Sequence, residues 1–396
     1  MTLRLPYYIL LAAAGSALLY FFGPSHIISL STPTASSTPS VAELPDPKKD
    51  IGPQPHLANP PAVIKAIYST GWSAGSATKL AALIKLVTDT ELNAIVIDAK
   101  DFSGNLSYKT ELPLVNKYGA TEVKIAKPNA AIKKLHDSGI YAIARITVFQ
   151  DPALAKARPD LALQNAATKK TWKDQKGLMW MDPASQEVWD YDIAIAKDAL
   201  ERGFDEVNFD YIRFPTDGDT GNLAYPFWDG ITPRQEILRR FFEHMRQQLP
   251  DAKISADIFG QSVVDNGDIG IGQHFENFLP YFDYVSPMVY PSHFADGAFG
   301  YQKPASHPYE IIKQSMSKAL ARMTTARAST TAAVKPRATL RPWFQDFDYK
   351  AVYTATMVRD QIRALGDVAS SSPELVNGWF LWDPSNAYTK DALLPK

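Results

Sequence analysis

Three aspartates stand out in this sequence because each one interrupts a short apolar run: Asp98, Asp210 and Asp257. An ionised carboxylate is costly to bury, so such a residue needs either a cationic partner or a chemical task. Two carboxyl groups that flank a glycosidic bond can hydrolyse it, one as a general acid and the other as a nucleophile or base. Asp210 and Asp257 are therefore the candidate catalytic pair. The structural alternative is that each aspartate pairs with an arginine, such as Arg145 or Arg213, and only braces the fold.

Other polar and aromatic residues lie at or just after the ends of apolar runs and are candidate substrate-binding groups. Binding sites combine such rings with a few polar groups that fix the orientation of a ligand. The predicted substrate-binding set consists of Trp72, Asp98, Asp101, Arg145, Arg213, Tyr290, His293, Trp382 and Asp383. Pairing of Asp210 with Asp98 or Asp383, instead of Asp257, would suit the wider carboxyl separation of an inverting hydrolase. The sequence leaves this choice open.

Composition and missing motifs exclude several other chemistries. The chain has no cysteine, which excludes disulfides, thiolate metal sites and cysteine nucleophiles. Its seven histidines form no His-x-His or His-x-x-x-His pair, and no Walker motif occurs. The net charge of −1 gives no basic field for nucleic acid. We therefore predict no cofactor, no metal and no nucleic-acid partner.

Eight apolar, β-rich runs alternate with helical patterns and must position these residues. The predicted strands are 63–70, 94–100, 141–149, 206–214, 253–260, 284–290, 339–347 and 378–383. This alternation predicts an α/β fold, a (β/α)₈ TIM barrel with its active site at the carboxyl ends of the strands. The long connections after strands two to five are expected to wall a cleft.

The N-terminal part of the chain differs in composition from the rest. Residues 1–28 contain an apolar run from Leu5 to Phe22 after Arg4, which predicts a signal anchor or a signal peptide. Residues 29–61 are rich in Pro, Ser and Thr and predict a disordered linker, and 62–396 form the predicted barrel. The charge bias places the barrel outside the cytoplasm, anchored to the membrane by the N-terminal helix or secreted if that segment is cleaved.

Five segments carry a family resemblance: AIVIDAKDFSGNLSY (94–108), GFDEVNFDYIRFP (203–215), ISADIFG (254–260), YVSPMVYPSHF (284–294) and GWFLWDPSNAY (378–388). Together they resemble a bacterial family of domains of unknown function that is described as glycoside-hydrolase-like. The resemblance covers nearly all of 62–390. It implies a TIM barrel in which Asp210 is the position most like a catalytic carboxylate.

A weaker likeness to chitinase-type barrels concerns the fourth strand. Phe204 to Ile212 align with a pattern that ends in a catalytic glutamate, and Ile212 stands where that glutamate would be. This departure argues against the chitinase mechanism.

The sequence thus predicts a glycoside hydrolase that acts on an extracytoplasmic or cell-envelope polysaccharide or oligosaccharide through two carboxylates. Two alternatives stay open. One is a non-catalytic glycan-binding barrel, and the other is a metal-assisted polysaccharide deacetylase built on the aspartates and His293.

Overall fold

The computed structural model describes residues 49–329 and 335–396, and a closed barrel of eight parallel strands forms its centre. Each strand pairs with the next along the chain, and the eighth pairs with the first. The predicted (β/α)₈ TIM barrel is confirmed. The strands are β1 (Ile64–Ser69), β2 (Ala94–Lys100), β3 (Tyr141–Thr147), β4 (Glu206–Asp210), β5 (Ile254–Phe259), β6 (Tyr284–Met288), β7 (Thr339–Leu340 and Trp343–Gln345) and β8 (Gly378–Trp382).

Two strands differ from the prediction in their course, while the ends of most others shift by one or two residues. The fourth was expected to reach residue 214, but β4 ends at Asp210 because Tyr211 adopts a left-handed backbone with φ +54°. That conformation cannot continue a β ladder. The seventh is interrupted between Leu340 and Trp343, where Pro342 has no backbone N–H to donate.

Helices surround the barrel and connect its strands. Some of them begin at a residue whose side chain caps the helix. The Ser76 hydroxyl accepts a hydrogen bond from the backbone N–H of Lys79, and the Thr354 hydroxyl accepts one from the backbone N–H of Met357. The connecting helices are α1 (Ala77–Asp89), α2 (Pro128–Asp137), α3 (Gln186–Arg202), α4 (Arg234–Gln248), α5 (Gly260–Val264), α6 (Pro308–Ala328) and α7 (Ala355–Ala369). Shorter helices lie in the loops at Gly71–Gly75, Pro113–Tyr118 and Pro152–Ala157.

Side chains alternate between two cores along the strands. The inner core fills the barrel and includes Ala66, Val96, Ile143, Trp343 and Phe380. The outer core lies between the strands and the helices. It is larger and takes the alternate residues, among them Ile67, Ile95, Ala144, Val207 and Leu381. Aspartates on the inward face are therefore held inside the barrel or at its mouth.

Two long loops on the carboxyl side of the barrel are joined to each other. Gln164–Asn165 and Leu223–Ala224 form a short antiparallel ribbon. The buried carboxylate of Asp182 accepts hydrogen bonds from the backbone N–H groups of Phe227 and Trp228, at 2.7 and 3.1 Å. Segments 150–184 and 215–232 therefore form one continuous wall beside the mouth.

Residues 49–61 have no helix or strand and lie against the opposite end of the barrel. The backbone N–H of Leu57 donates to Asp205, and that of Asn129 donates to Asp50. The predicted anchor or signal peptide at 1–28 and most of the predicted linker lie outside the described residues. Within the described part of the chain, no helix combines the length and apolar character needed to cross a membrane.

Candidate active site

Arg145 lies at the centre of the barrel mouth and contacts all three of the aspartates that interrupt apolar runs. Its Nη1 donates to Asp98 Oδ1 at 2.6 Å, its Nη2 donates to Asp210 Oδ2, and its Nε lies 3.9 Å from Asp257 Oδ2. Contact with one shared guanidinium group keeps the nearest oxygens of Asp210 and Asp257 within about 9 Å of each other, which does not exceed the upper limit for glycosidase carboxyl pairs. The structure thus brings together side chains from β2, β3, β4 and β5.

Asp210 is the last residue of β4 and is held by two donors. Besides Arg145, the backbone N–H of Tyr211 donates to its Oδ1 at 2.6 Å, which the left-handed turn at Tyr211 makes possible. The guanidinium and the backbone N–H thus fix the orientation of the Asp210 carboxyl group from two sides. Asp210 is 7% exposed, so its carboxylate is largely buried but still reaches the mouth.

Asp257 has a different environment, although it is adjacent to Asp210. It is 1% exposed, and its Oδ1 accepts from Asn208 Nδ2 at 2.9 Å and from Trp343 Nε1 at 2.7 Å. Burial raises the pKa of Asp257 well above its usual range, and the nearby charge of Asp210 raises it further. Two neighbouring carboxyl groups whose environments separate their protonation states are typical of an acid and base pair.

Asp98 and an aromatic pair complete this side of the mouth. The hydroxyl of Tyr68 donates to Asp98 Oδ2, and burial raises the pKa of the Asp98 carboxyl. The Tyr68 ring stacks on Trp382 with centroids 3.9 Å apart, and the Arg145 guanidinium lies 5.3 Å from the Trp382 ring. Trp382 is only half-buried. Its ring therefore presents an aromatic surface beside the carboxylates.

Tyr290 and His293 follow β6 on the other side of the mouth. Burial and the charges of Asp257 and Asp210 raise the pKa of Tyr290, so its hydroxyl stays protonated near those carboxylates. The His293 ring packs against Tyr290, 5.2 Å between centroids, and burial lowers its pKa to about 4. His293 is therefore neutral at physiological pH.

Other predicted binding residues have partners within their own loops. Asp101 accepts from Ser103 and pairs with Lys124, both in the loop after β2. Asp383 Oδ1 accepts from the backbone N–H groups of Ser385 and Ala387, at 2.6 and 3.3 Å. The structure therefore gives both carboxylates a local bracing role.

Arg213 and Trp72 also lie apart from the carboxylate cluster. Arg213 pairs with Asp217 at 2.7 Å and lies over the Trp180 ring at 4.7 Å. Trp72 is in the first βα loop with 59% of its surface exposed. Among residues 49–329 and 335–396, neither Arg213 nor Trp72 forms an ion pair or a hydrogen bond with Asp210 or Asp257.

A bulge in β2 changes the role of Lys100. The register shifts between Asp98 and Lys100, so Lys100 points to the outer face although simple alternation would put both residues inside. There it is fully buried and pairs with Asp151 and Asp192, each at 2.6 Å. Sequence periodicity alone gives no signal for such a bulge.

Another buried ion pair lies deeper in the barrel and was not predicted from the sequence. Glu206 at the start of β4 accepts two hydrogen bonds from Arg341 Nη1, both at 2.9 Å. Ser255 Oγ donates to the same carboxylate at 2.7 Å, and also accepts from Asn208, which in turn donates to Asp257. Glu206 lies two residues before Asn208 and four before Asp210. Strand alternation therefore predicts that its side chain shares their inward face, which the sequence analysis did not use.

Residues 71–75 contain a Gly-x-Ser-x-Gly pattern, which in some hydrolases marks a nucleophilic serine. Ser73 is 2% exposed, and no hydrogen bond joins it to a histidine among the described residues. The pattern therefore lacks the base that a serine nucleophile needs.

The described residues also contain no group of three or more His, Cys, Asp or Glu side chains arranged to hold a metal ion. The three aspartates at the mouth face a guanidinium, and His293 lies among aromatic rings.

Residues 66–388 match the model of a family described as "Putative glycosyl hydrolase domain". The chain belongs to this family. The match includes every strand of the barrel except the first residues of β1, and it contains all of the candidate site residues. No match is found among curated proteins.

Solved structures provide further comparisons. The glycoside hydrolase domain of PgaB (BpsB) from Bordetella bronchiseptica is 14% identical, with a TM-score of 0.59 over 85% of this chain and 100% of that chain. At that identity the similarity shows a shared barrel fold. A hypothetical protein from Ruminiclostridium thermocellum is 38% identical over 48% of this chain and 96% of that chain, with a TM-score of 0.45.

Proposed function

We propose that this protein is a glycoside hydrolase that cleaves an extracytoplasmic or cell-envelope polysaccharide with Asp210 and Asp257 as its two carboxyl groups. One observation carries the proposal. Both side chains contact Arg145, but their environments differ. Asp210 accepts hydrogen bonds from Arg145 and from the backbone N–H of Tyr211, whereas Asp257 is buried and its pKa is raised. Family membership supports the same class of reaction.

The two environments assign different tasks to the two aspartates. Asp210 accepts hydrogen bonds from Arg145 and from the backbone N–H of Tyr211, and it serves as the nucleophile or as the base that activates water. Asp257 stays protonated and donates its proton to the departing glycosidic oxygen. This division follows the general requirement of the reaction for one ionised and one protonated carboxyl group.

Arg145 and the aromatic pair position the substrate and the carboxylates. Arg145 fixes the positions of Asp98 and Asp210 by ion pairs. The half-buried Trp382 ring, supported by Tyr68, offers a flat apolar surface for one face of a sugar ring. The joined loops 150–184 and 215–232 wall the site.

We also propose that the protein acts outside the cytoplasm. The apolar run after Arg4 and the Pro/Ser/Thr-rich segment support an anchored or secreted protein outside the cytoplasm. Both features lie largely outside the described residues, so they rest on the sequence.

A second function has one observation in its favour. All three aspartates contact a single arginine, and each is less than a tenth exposed. A barrel whose carboxylates serve only to hold Arg145 would bind glycan at the aromatic surface without cleaving it.

Hydrolysis and binding measurements separate these two functions. Wild type, Asp210→Asn and Asp383→Asn would be incubated with a panel of extracellular and cell-wall polysaccharides, and released reducing ends and bound polysaccharide would be measured. Asp383→Asn is the matched control, because an asparagine can still accept from the two backbone N–H groups. We expect release by wild type and the control, and binding without release by Asp210→Asn. Binding without release by all three proteins would favour the glycan-binding function.

A further inference from the structure

A small apolar cavity lies one layer above Asp257, towards the barrel mouth. Phe259 follows Asp257 by two residues on the inward face of β5, and Met288 is its register partner on β6. These two side chains, with Phe294, form the apolar part of a cavity of about 50 Å³. The cavity therefore adjoins the proposed catalytic pair.

Three polar side chains also line this cavity: Gln261, Tyr290 and His293. Within the described residues, the structure gives no hydrogen-bond partner to the Gln261 amide, the Tyr290 hydroxyl or His293 Nε2. His293 Nδ1 lies 3.0 Å from Ser292 Oγ, which leaves Nε2 as the free nitrogen of the ring. Polar groups in a mostly apolar cavity are available to a ligand that brings its own donors and acceptors.

Size and charge restrict what the cavity can hold. A single water needs about 10–15 Å³ of such space, so the cavity has room for a few non-hydrogen atoms and not for a sugar ring. No carboxylate, lysine or arginine lines it, and His293 is neutral. An ammonium or carboxylate substituent would therefore find no ion-pair partner among the residues that line the cavity.

We propose that this cavity is a subsite for the acetamido substituent of an N-acetylated amino sugar. The methyl group packs against Phe259, Met288 and Phe294, and the amide reaches Gln261 and His293. A plain methyl substituent would leave these two polar groups unpaired. The inference rests on the proposed function and narrows its substrate class to polysaccharides that contain N-acetylhexosamine.

Binding can be measured without turnover in the full-length Asp210→Asn protein. Saturation-transfer NMR would compare N-acetylglucosamine and N-acetylgalactosamine with glucosamine and glucose. We expect the strongest saturation at the acetyl methyl protons and at least tenfold weaker binding of the sugars that lack the acetyl group. Adding Gln261→Leu should weaken binding of the acetylated sugars roughly 3- to 10-fold through the lost hydrogen bond.

Gln247→Leu is the matched control, because Gln247 is exposed on α4 and does not line the cavity. Thermal unfolding of both variants checks that each one folds. Equal binding of acetylated and unsubstituted sugars would overturn the subsite, as would equal effects of the two substitutions.

Hydrolysis by wild type distinguishes failure of the subsite from failure of the proposed function. Equal cleavage of a polysaccharide and its chemically de-N-acetylated form would overturn the subsite and leave the hydrolase intact. Acetyl binding that depends on Gln261, with no cleavage of any polysaccharide, would support the subsite and overturn the hydrolase.

Discussion

Replacement of Arg145 by methionine tests whether this one side chain holds the carboxylates of the mouth in place. The substitution keeps most of the apolar stem and removes the cation that contacts Asp98, Asp210 and Asp257. Removal of one partner from a buried ion pair costs about 3–5 kcal/mol because the other charge stays buried without compensation. Two close ion pairs depend on Arg145, so we expect a loss near the upper end of that range.

The loss should depend on pH in a defined direction. A buried carboxyl group without a cation has a higher pKa in the folded state than in the unfolded state. It therefore destabilises the folded protein, and this loss of unfolding free energy reaches its maximum above the folded-state pKa. As the pH falls towards the unfolded pKa, the carboxyl becomes protonated and the cost disappears. The difference in unfolding free energy between wild type and Arg145→Met should therefore be largest at neutral pH and shrink towards pH 4.

Urea denaturation of both proteins at a series of pH values measures this difference. Arg240→Met is the control, since Arg240 forms an exposed ion pair with Glu236 on α4 and such pairs contribute only about 0.3–0.5 kcal/mol. A loss below about 1 kcal/mol for Arg145→Met, or a loss that stays constant with pH, would refute this account of the carboxylate cluster.

Three further predictions follow from the structure. Asp257 works as an acid only while it is protonated, so activity should fall as the pH rises through its raised pKa. Asp257→Asn should remove this alkaline limb from the pH–rate profile. An unchanged limb would argue against the acid role. Gly378→Ala should cost about 1–3 kcal/mol or more in chemical denaturation, because Gly378 has φ +91° and a Cβ there would lie 1.8 Å from the Ile64 carbonyl oxygen. Its control, Gly366→Ala in α7, has open space around it and should be neutral or stabilising; equal effects would contradict the argument. Lys100→Met should destabilise the fold by about 3–5 kcal/mol in the same assay because it leaves two buried aspartates without a cation, whereas a loss under 1 kcal/mol would mean that this network matters little.

The order of strands and helices was readable from the sequence because each strand is a short apolar run between recognisable helix caps. Strand alternation also predicted that Asp210 points inward, and β4 carries Asn208 and Asp210 on that face. The convergence of Asp98, Asp210 and Asp257 followed from the rule that a barrel places strand ends at one mouth.

Other features depend on contacts that sequence patterns do not encode. The bulge in β2 sends Lys100 outward, and alternation predicts the opposite. The partners of Asp101 and Asp383 are backbone and side-chain groups of their own loops, whose paths cannot be read from residue types. The pairing of Glu206 with Arg341 joins residues 135 positions apart, so only the closed barrel reveals it.

The central claim is that Asp210 and Asp257 carry out the reaction together. Its most direct test is kcat/KM of wild type, Asp210→Asn and Asp257→Asn on a polysaccharide that the wild type cleaves, with Asp383→Asn as control. We predict losses on the order of 10²–10⁴ for each of the two substitutions, as expected when an acid or base is removed, with substrate binding retained and the control close to wild type. Undiminished turnover by Asp210→Asn would contradict the claim.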